Sequence, residues 1–193
     1  MRANATGRRR QRGFTLLEVL ISMVVLCVGL VGLLATFVVA FASTQSSQQD
    51  MIAKQIASQT MESIFTARNT ANIEWLEIQN VGAGTNPDGI FVTGLQPINQ
   101  AGVDGIYGTA DDSNAVAQTM TLPGRDGIVG TSDDVIVPLT NFQRSIVIAP
   151  ATDPITGSVI NDLRQITITV RYTTPQAKVP KNYVLVAYIS QFR

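Results

Sequence analysis

Six aspartates, set in two copies of a glycine-rich segment, are the densest candidate for chemistry in the sequence. Gly102-Val103-Asp104-Gly105-Ile106-Tyr107-Gly108-Thr109-Ala110-Asp111-Asp112 returns further along the chain as Gly124-Arg125-Asp126-Gly127-Ile128-Val129-Gly130-Thr131-Ser132-Asp133-Asp134. The shared pattern is G-x-D-G-I-x-G-T-x-D-D. Each copy gathers three carboxylates: Asp104, Asp111 and Asp112 in the first, Asp126, Asp133 and Asp134 in the second. Hard oxygen ligands at short spacing suit Ca²⁺, which makes calcium a candidate cofactor. The spacing is not that of an EF-hand, so no ligand order follows. The same residues equally describe two Asp-Gly turns with solvated acids, and both readings stay open. As an acid pair for glycoside hydrolysis they are poorly placed, because nothing in a polar turn would raise one carboxyl pKa above the other.

Other catalytic material is scarce. The chain has no His and a single Cys, Cys27, inside an apolar run. Zinc chemistry and Cys-His nucleophilic catalysis therefore lack their residues, and Cys27 reads as a small hydrophobe. No enzymatic activity is expected. One more acid stands out. Glu18 lies at the head of Val19–Ala42, a run in which only Ser22 and Thr36 carry polar side chains. As a helix that run spans about 36 Å, enough for a hydrocarbon core of about 30 Å. A carboxylate at its edge is costly and usually marks a partner or a function. The nearest cations are Arg2, Arg8, Arg9, Arg10 and Arg12, so the natural partner belongs to another molecule. Those five arginines precede the run with no acid among them, whereas the rest of the chain holds nine Lys and Arg against fourteen Asp and Glu. Such asymmetry holds the N-terminus in the cytoplasm and sends the remainder outward. No nucleic-acid partner is expected. The run is also too long for the core of a secretory signal peptide.

These residues must be positioned by two kinds of element. From Ser43 to Ala71 there is no Pro or Gly, and Ala53, Ile56, Ala57, Met61, Ile64 and Phe65 recur at helical spacing. That predicts an amphipathic helix continuing the apolar one. The last third reads as antiparallel strands at Arg144–Ala149, Gln165–Tyr172 and Tyr183–Ile189, with Ile166, Ile168 and Val170 on one face. Pro150, Pro154 and Gly157 are expected to separate the first two strands, and Pro175 and Pro180 the last two. A helix laid across a small antiparallel meander is an α+β head.

The segment Arg12-Gly13-Phe14-Thr15-Leu16-Leu17-Glu18-Val19-Leu20-Ile21 resembles the class III signal sequence of type IV prepilins and type II secretion pseudopilins. The resemblance implies cleavage between Gly13 and Phe14 by a prepilin peptidase, which then N-methylates Phe14. It further implies that Glu18 pairs with the Phe14 amine of a neighbouring subunit during assembly. Opposite charges that are each expensive in low dielectric have good reason to meet. The type IV pilin fold is implied as well: a long N-terminal helix packed on a C-terminal antiparallel sheet. On that basis the chain divides into a basic leader (1–13), a transmembrane half-helix (14–42), an amphipathic half (43–71), a loop-rich region with the two repeats (72–142) and the sheet (143–193).

The strand pattern is similar to that of PilV-type minor pilins. Major pilins often carry a helix-breaking proline in the membrane half; here the first proline is Pro87. The implied function is that of a minor type IV pilin, assembled into or at the tip of a pilus and supporting its assembly, adhesion or motility. A minor pseudopilin of type II secretion is the alternative within the class. Outside it stands a monomeric, membrane-anchored calcium-binding or adhesive domain. Expected partners are prepilin peptidase, other pilin or pseudopilin subunits, the inner-membrane assembly platform and membrane lipid. The expected location is the inner membrane, single-pass with a periplasmic head, then a surface pilus or periplasmic pseudopilus.

Overall fold

A single helix, α1, runs 54 residues from Leu16 to Asn69 in the computed structural model, which describes residues 15–83, 88–114, 116–174 and 179–192. Thr15 starts it, its hydroxyl oxygen accepting from the Glu18 N–H at 3.3 Å, as an N-cap does. Its end is a Schellman turn: the Asn72 N–H reaches the Ala67 carbonyl at 2.9 Å, around Ala71 at φ 61°. Contacts divide the chain after Thr44 into two compact units.

In the first unit, every residue from 15 to 41 is exposed. The two polar side chains of the apolar run turn inward: Ser22 Oγ donates to the Val19 carbonyl at 2.8 Å and Thr36 Oγ1 to that of Leu33 at 2.7 Å. Neither hydroxyl is left for lipid to face unpaired. By length and composition this is a helix able to cross a membrane.

In the second unit the remaining half of α1 packs on an antiparallel sheet. The strands of the unit are β1 (Gln96–Pro97), β2 (Thr119–Leu122), β3 (Val135–Pro138), β4 (Phe142–Thr152), β5 (Val159–Tyr172) and β6 (Lys181–Ser190). Four of them form the sheet, in the order β1-β4-β5-β6, while β2 and β3 form a separate hairpin. The core joins Ala53, Ile56, Ala57, Met61 and Ile64 of α1 to Ile146, Ile148, Ile166, Ile168 and Val170 of the sheet, all buried. Each large apolar side chain there contributes about 1.5–3 kcal/mol by leaving water. The alternation along β5 is as the sequence predicts. Phe65, by contrast, is only partly buried, while Thr60, Ala67 and Arg68 share the buried face.

The strands outrun their expected ends. Pro150 does not terminate β4 but sits at a register shift between Pro150 and Ala151, where a residue without an N–H is tolerated. Within the loop-rich region, Asn80 completes the sheet with its side chain. Its amide donates to the Ile146 carbonyl and accepts from the Ile148 N–H, both at 2.8 Å. Two buried arginines fasten further loops: Arg68 donates to the Ser190 and Gln191 carbonyls, and Arg164 to those of Trp75 and Ile78.

Candidate functional site

The N-terminal candidate residues separate into two groups. Gly13 and Phe14, the expected cleavage and methylation positions, lie outside the described residues. Glu18 occupies the first turn of α1 and is exposed. That turn is the positive end of the helix dipole, which favours a carboxylate there. Among the described residues the ion pairs are Arg144–Asp112 and Lys181–Asp50, and neither involves Glu18.

The two aspartate repeats fold into the same loop. Asp104 Oδ1 accepts from the Ile106 N–H at 2.8 Å, and Asp126 Oδ1 from that of Ile128 at 2.9 Å. Thr109 Oγ1 donates to Asp111 at 2.6 Å, as Thr131 Oγ1 does to Asp133 at 2.7 Å. Asp111 Oδ2 accepts from the Asp104 N–H at 3.3 Å, and Asp133 Oδ2 from that of Asp126 at 3.3 Å. The last aspartate closes each loop: Gly108 N–H donates to Asp112 and Gly130 N–H to Asp134, both at 2.6 Å. Gly108 and Gly130, at φ 91° and 101°, adopt a backbone that a side chain would strain. The threonine hydroxyls, followed by backbone N–H groups, hold the Asp111 and Asp133 carboxyls below the ordinary range. All six aspartates thus serve as acceptors for their own loops. Among the described residues, no three acidic, His or Cys side chains are arranged to hold a metal ion.

Surroundings distinguish the copies more than conformation does, although only the first runs on into a 3-10 helix, Ala110–Asn114. The first is docked on the core. Ile106 is 2% exposed, and Asp112 forms an ion pair with Arg144 at 3.3 Å. Arg144 is itself buried, donates to Thr60 Oγ1 at 3.1 Å and lies 5.0 Å from the centre of the Tyr107 ring. Tyr107 is tied to α1 in turn, its hydroxyl accepting from Gln59 Nε2 at 2.9 Å. Burial raises the Asp112 carboxyl above its ordinary range, opposed by the Gly108 and Gly102 N–H groups and by Arg144. Burial also lowers the Arg144 guanidinium, which Asp112 counteracts. The second copy connects β2 to β3 and is undocked: Ile128 is 61% exposed and Val129 59%. Sequence reasoning misses Arg144, Thr60 and Tyr107 as parts of the first site. Arg144 is legible only as the start of a strand, and nothing local links it to a loop so much earlier in the chain.

A long helix, apolar and exposed from residue 16 to residue 41 and packed on an antiparallel sheet in its second half, fits a class: membrane-anchored proteins with a small α+β domain. Residues 8–34 match the family model described as the prokaryotic N-terminal methylation motif. The chain thus carries the class III signal of type IV prepilins and pseudopilins. That signal implies processing by a prepilin peptidase and assembly with other pilin subunits. No match was found among curated proteins or solved structures.

Proposed function

We propose that the chain is a minor type IV pilin whose work is mechanical: it is cleaved after Gly13, methylated at Phe14, and drawn from the inner membrane into a pilus. The observation that carries this reading is Glu18, an exposed carboxylate in the first turn of a membrane-length helix, directly within the methylation motif. In a filament of parallel helices, a neighbour's Phe14 amine neutralises it, and each charge relieves the other's desolvation cost. The uninterrupted run of α1 from Leu16 to Asn69 supports a minor rather than a major subunit. The arginine-rich leader supports a cytoplasmic N-terminus and a periplasmic head.

The test is mass spectrometry of the protein from its host, followed by shearing of surface filaments. N-methyl-Phe14 at the terminus, with the chain in the sheared fraction at a small share of total subunits, is expected. An intact leader overturns the pilin reading. A methylated chain confined to the periplasm points to a secretion pseudopilus. Glu18→Ala is expected to leave cleavage intact and to reduce incorporation by at least about tenfold, the scale of an unpaired charge in low dielectric. Normal incorporation removes the charge-pairing mechanism.

A further inference from the structure

Beside the first repeat, between α1 and the start of β2, lies a cavity of about 480 Å³. Glutamines reach it from three directions: Gln55 and Gln59 from successive turns of α1, Gln100 from the loop after β1, and Gln118 from the residue before β2. The backbone of Gln118 is paired, its N–H with the Ile98 carbonyl and its own carbonyl with the Leu139 N–H, so what it offers the cavity is its side chain. The residue is 9% exposed, yet its carboxamide has no hydrogen-bond partner among the described residues. Buried carboxamides are nearly always bonded, because stripping one of water costs free energy that only a partner returns. The first repeat adds Tyr107 to the lining, where the second repeat has Val129. The Tyr107 hydroxyl accepts from Gln59 Nε2 at 2.9 Å, which leaves its own proton and the Gln59 oxygen free to bind. The Arg144 guanidinium, 5.0 Å from the centre of the ring, holds the phenol in place.

We propose that this cavity is a binding site for a neutral saccharide. No charged side chain is among the residues that line it, so nothing there pairs with an acid or a base. Each carboxamide both donates and accepts hydrogen bonds, as each hydroxyl of a sugar does. Ile52, Ile56, Met120 and Leu139 give the cavity an apolar surface, which suits the C–H face of a pyranose ring. Its volume lies within the range of about 300–1,000 Å³ usual for small-ligand sites, which combine such surfaces with a few convergent polar groups. An extended peptide fits less well, because its side chains project to two opposite faces, whereas the glutamines converge from helix, loop and strand. The site also gives the docking of the first repeat a use, since docking is what brings Tyr107 to Gln59. It lies wholly within the second unit and is complete in a single chain, independent of filament assembly.

The experiment is saturation-transfer NMR on the full chain, held in a detergent without a sugar headgroup. The probes are lactose, cellobiose, maltose and diacetylchitobiose, with a tetra-alanine peptide blocked at both ends for comparison. Transfer to at least one of the disaccharides at about 10 mM is expected. Gln118→Leu should weaken that binding about threefold to tenfold, the weight of one hydrogen bond. The same substitution should leave the melting temperature unchanged or raise it, because an unpaired buried carboxamide gives way to an apolar side chain of similar size. Tyr107→Phe keeps the ring beside Arg144 but removes the hydroxyl, and should weaken binding as well. No transfer to any of the disaccharides overturns the proposal, as does binding that neither substitution alters. Tighter binding of the blocked peptide makes the cavity a peptide groove, and a melting temperature lowered by Gln118→Leu makes the carboxamide part of the fold. Either result also overturns the saccharide site.

Discussion

Replacing Arg144 by Met tests whether the first repeat is held by a buried ion pair or only by its own turn. The Arg144 side chain is 3% exposed, with a charged partner, Asp112, at 3.3 Å and a hydroxyl, Thr60, at 3.1 Å. Met preserves most of the volume, so the loss is chiefly electrostatic. Removing one member of a buried pair costs about 3–5 kcal/mol, because the survivor is left uncompensated. Asp112 still keeps the N–H groups of Gly102 and Gly108, at 2.9 and 2.6 Å, which places the expected loss near the lower end, about 3 kcal/mol at pH 7. The sign with pH follows from the carboxyl. Burial already raises its pKa, and removing the arginine raises it further. A carboxyl whose folded pKa exceeds its unfolded value imposes a penalty above that pKa, which disappears as pH falls through it. The variant's deficit should therefore shrink as pH falls from neutrality toward the ordinary carboxylate range. Urea unfolding of the full chain in detergent, followed by fluorescence of the sole tryptophan, Trp75, measures this. A deficit under about 1 kcal/mol, as for a surface pair, would refute the reasoning, and so would one that ignores pH.

Other consequences follow from the same geometry. A Cβ on Gly108 would lie 2.2 Å from Ile146 Cδ1 in addition to the strained φ, whereas Gly130 has nothing within 4 Å. Gly108→Ala should thus cost more than Gly130→Ala, about 3 against about 1–2 kcal/mol in urea unfolding; equal losses would mean the first repeat is not packed as described. Tyr172 donates to Asp50 Oδ1 at 2.5 Å, and burial, with that bond, pushes its phenol up to about 12. An acid whose folded pKa is raised stabilises the fold below its unfolded value and loses that contribution as pH rises through the folded one. Stability should hence decline from about pH 10 toward pH 12, and Tyr172→Phe should flatten that decline in an alkaline unfolding series. Because the loop carboxylates are already engaged by N–H and hydroxyl donors, the melting temperature in millimolar calcium should match that in chelator. A calcium-dependent rise would show that the aspartates exchange those donors for a cation.

What can be read in advance depends on whether the information is local. The membrane span, the amphipathic stripe at Ala53, Ile56, Ala57, Met61 and Ile64, and the alternation of Ile166, Ile168 and Val170 are periodicities, set by side chains against a nearby surface. The structure reproduces the stripe and the alternation, and shows the apolar run as part of a helix long enough to cross a membrane. Pro150 is not the terminator its type suggests, because its effect depends on the β-bulge beside it, which only the pairing with β5 creates. The β2–β3 hairpin around the second repeat is hidden among turn residues, in strands of 4 residues each that are too short to show a period. For the aspartates, residue types and spacing leave calcium ligands and Asp-Gly turns both open. Their use as acceptors depends on backbone N–H directions, and a list of residue types does not contain those.

The twin loops also separate two energies that are usually entangled. Their matching hydrogen bonds are nearly equal in length: 2.8 and 2.9 Å from Ile106 and Ile128, 2.6 and 2.7 Å from the two threonines, and 2.6 Å from both Gly108 and Gly130. One copy is docked on the core through Ile106, Gly108, Thr109 and Asp112 and the other is largely exposed, so docking is not what shapes the loop. Local chemistry is sufficient: aspartates that bond to nearby N–H groups and glycines that accept positive φ. What docking adds is the tertiary part, an isoleucine removed from water and an aspartate matched to an arginine. The difference in cost between disrupting Asp112 and disrupting Asp134 measures that part alone. Asp134→Asn in the isolated chain should cost no more than about 0.5 kcal/mol, the ordinary surface value. The corresponding change at Asp112 also weakens the bond to a buried guanidinium and should cost several times as much. If the two costs were equal, Arg144 would contribute nothing to seating the first loop.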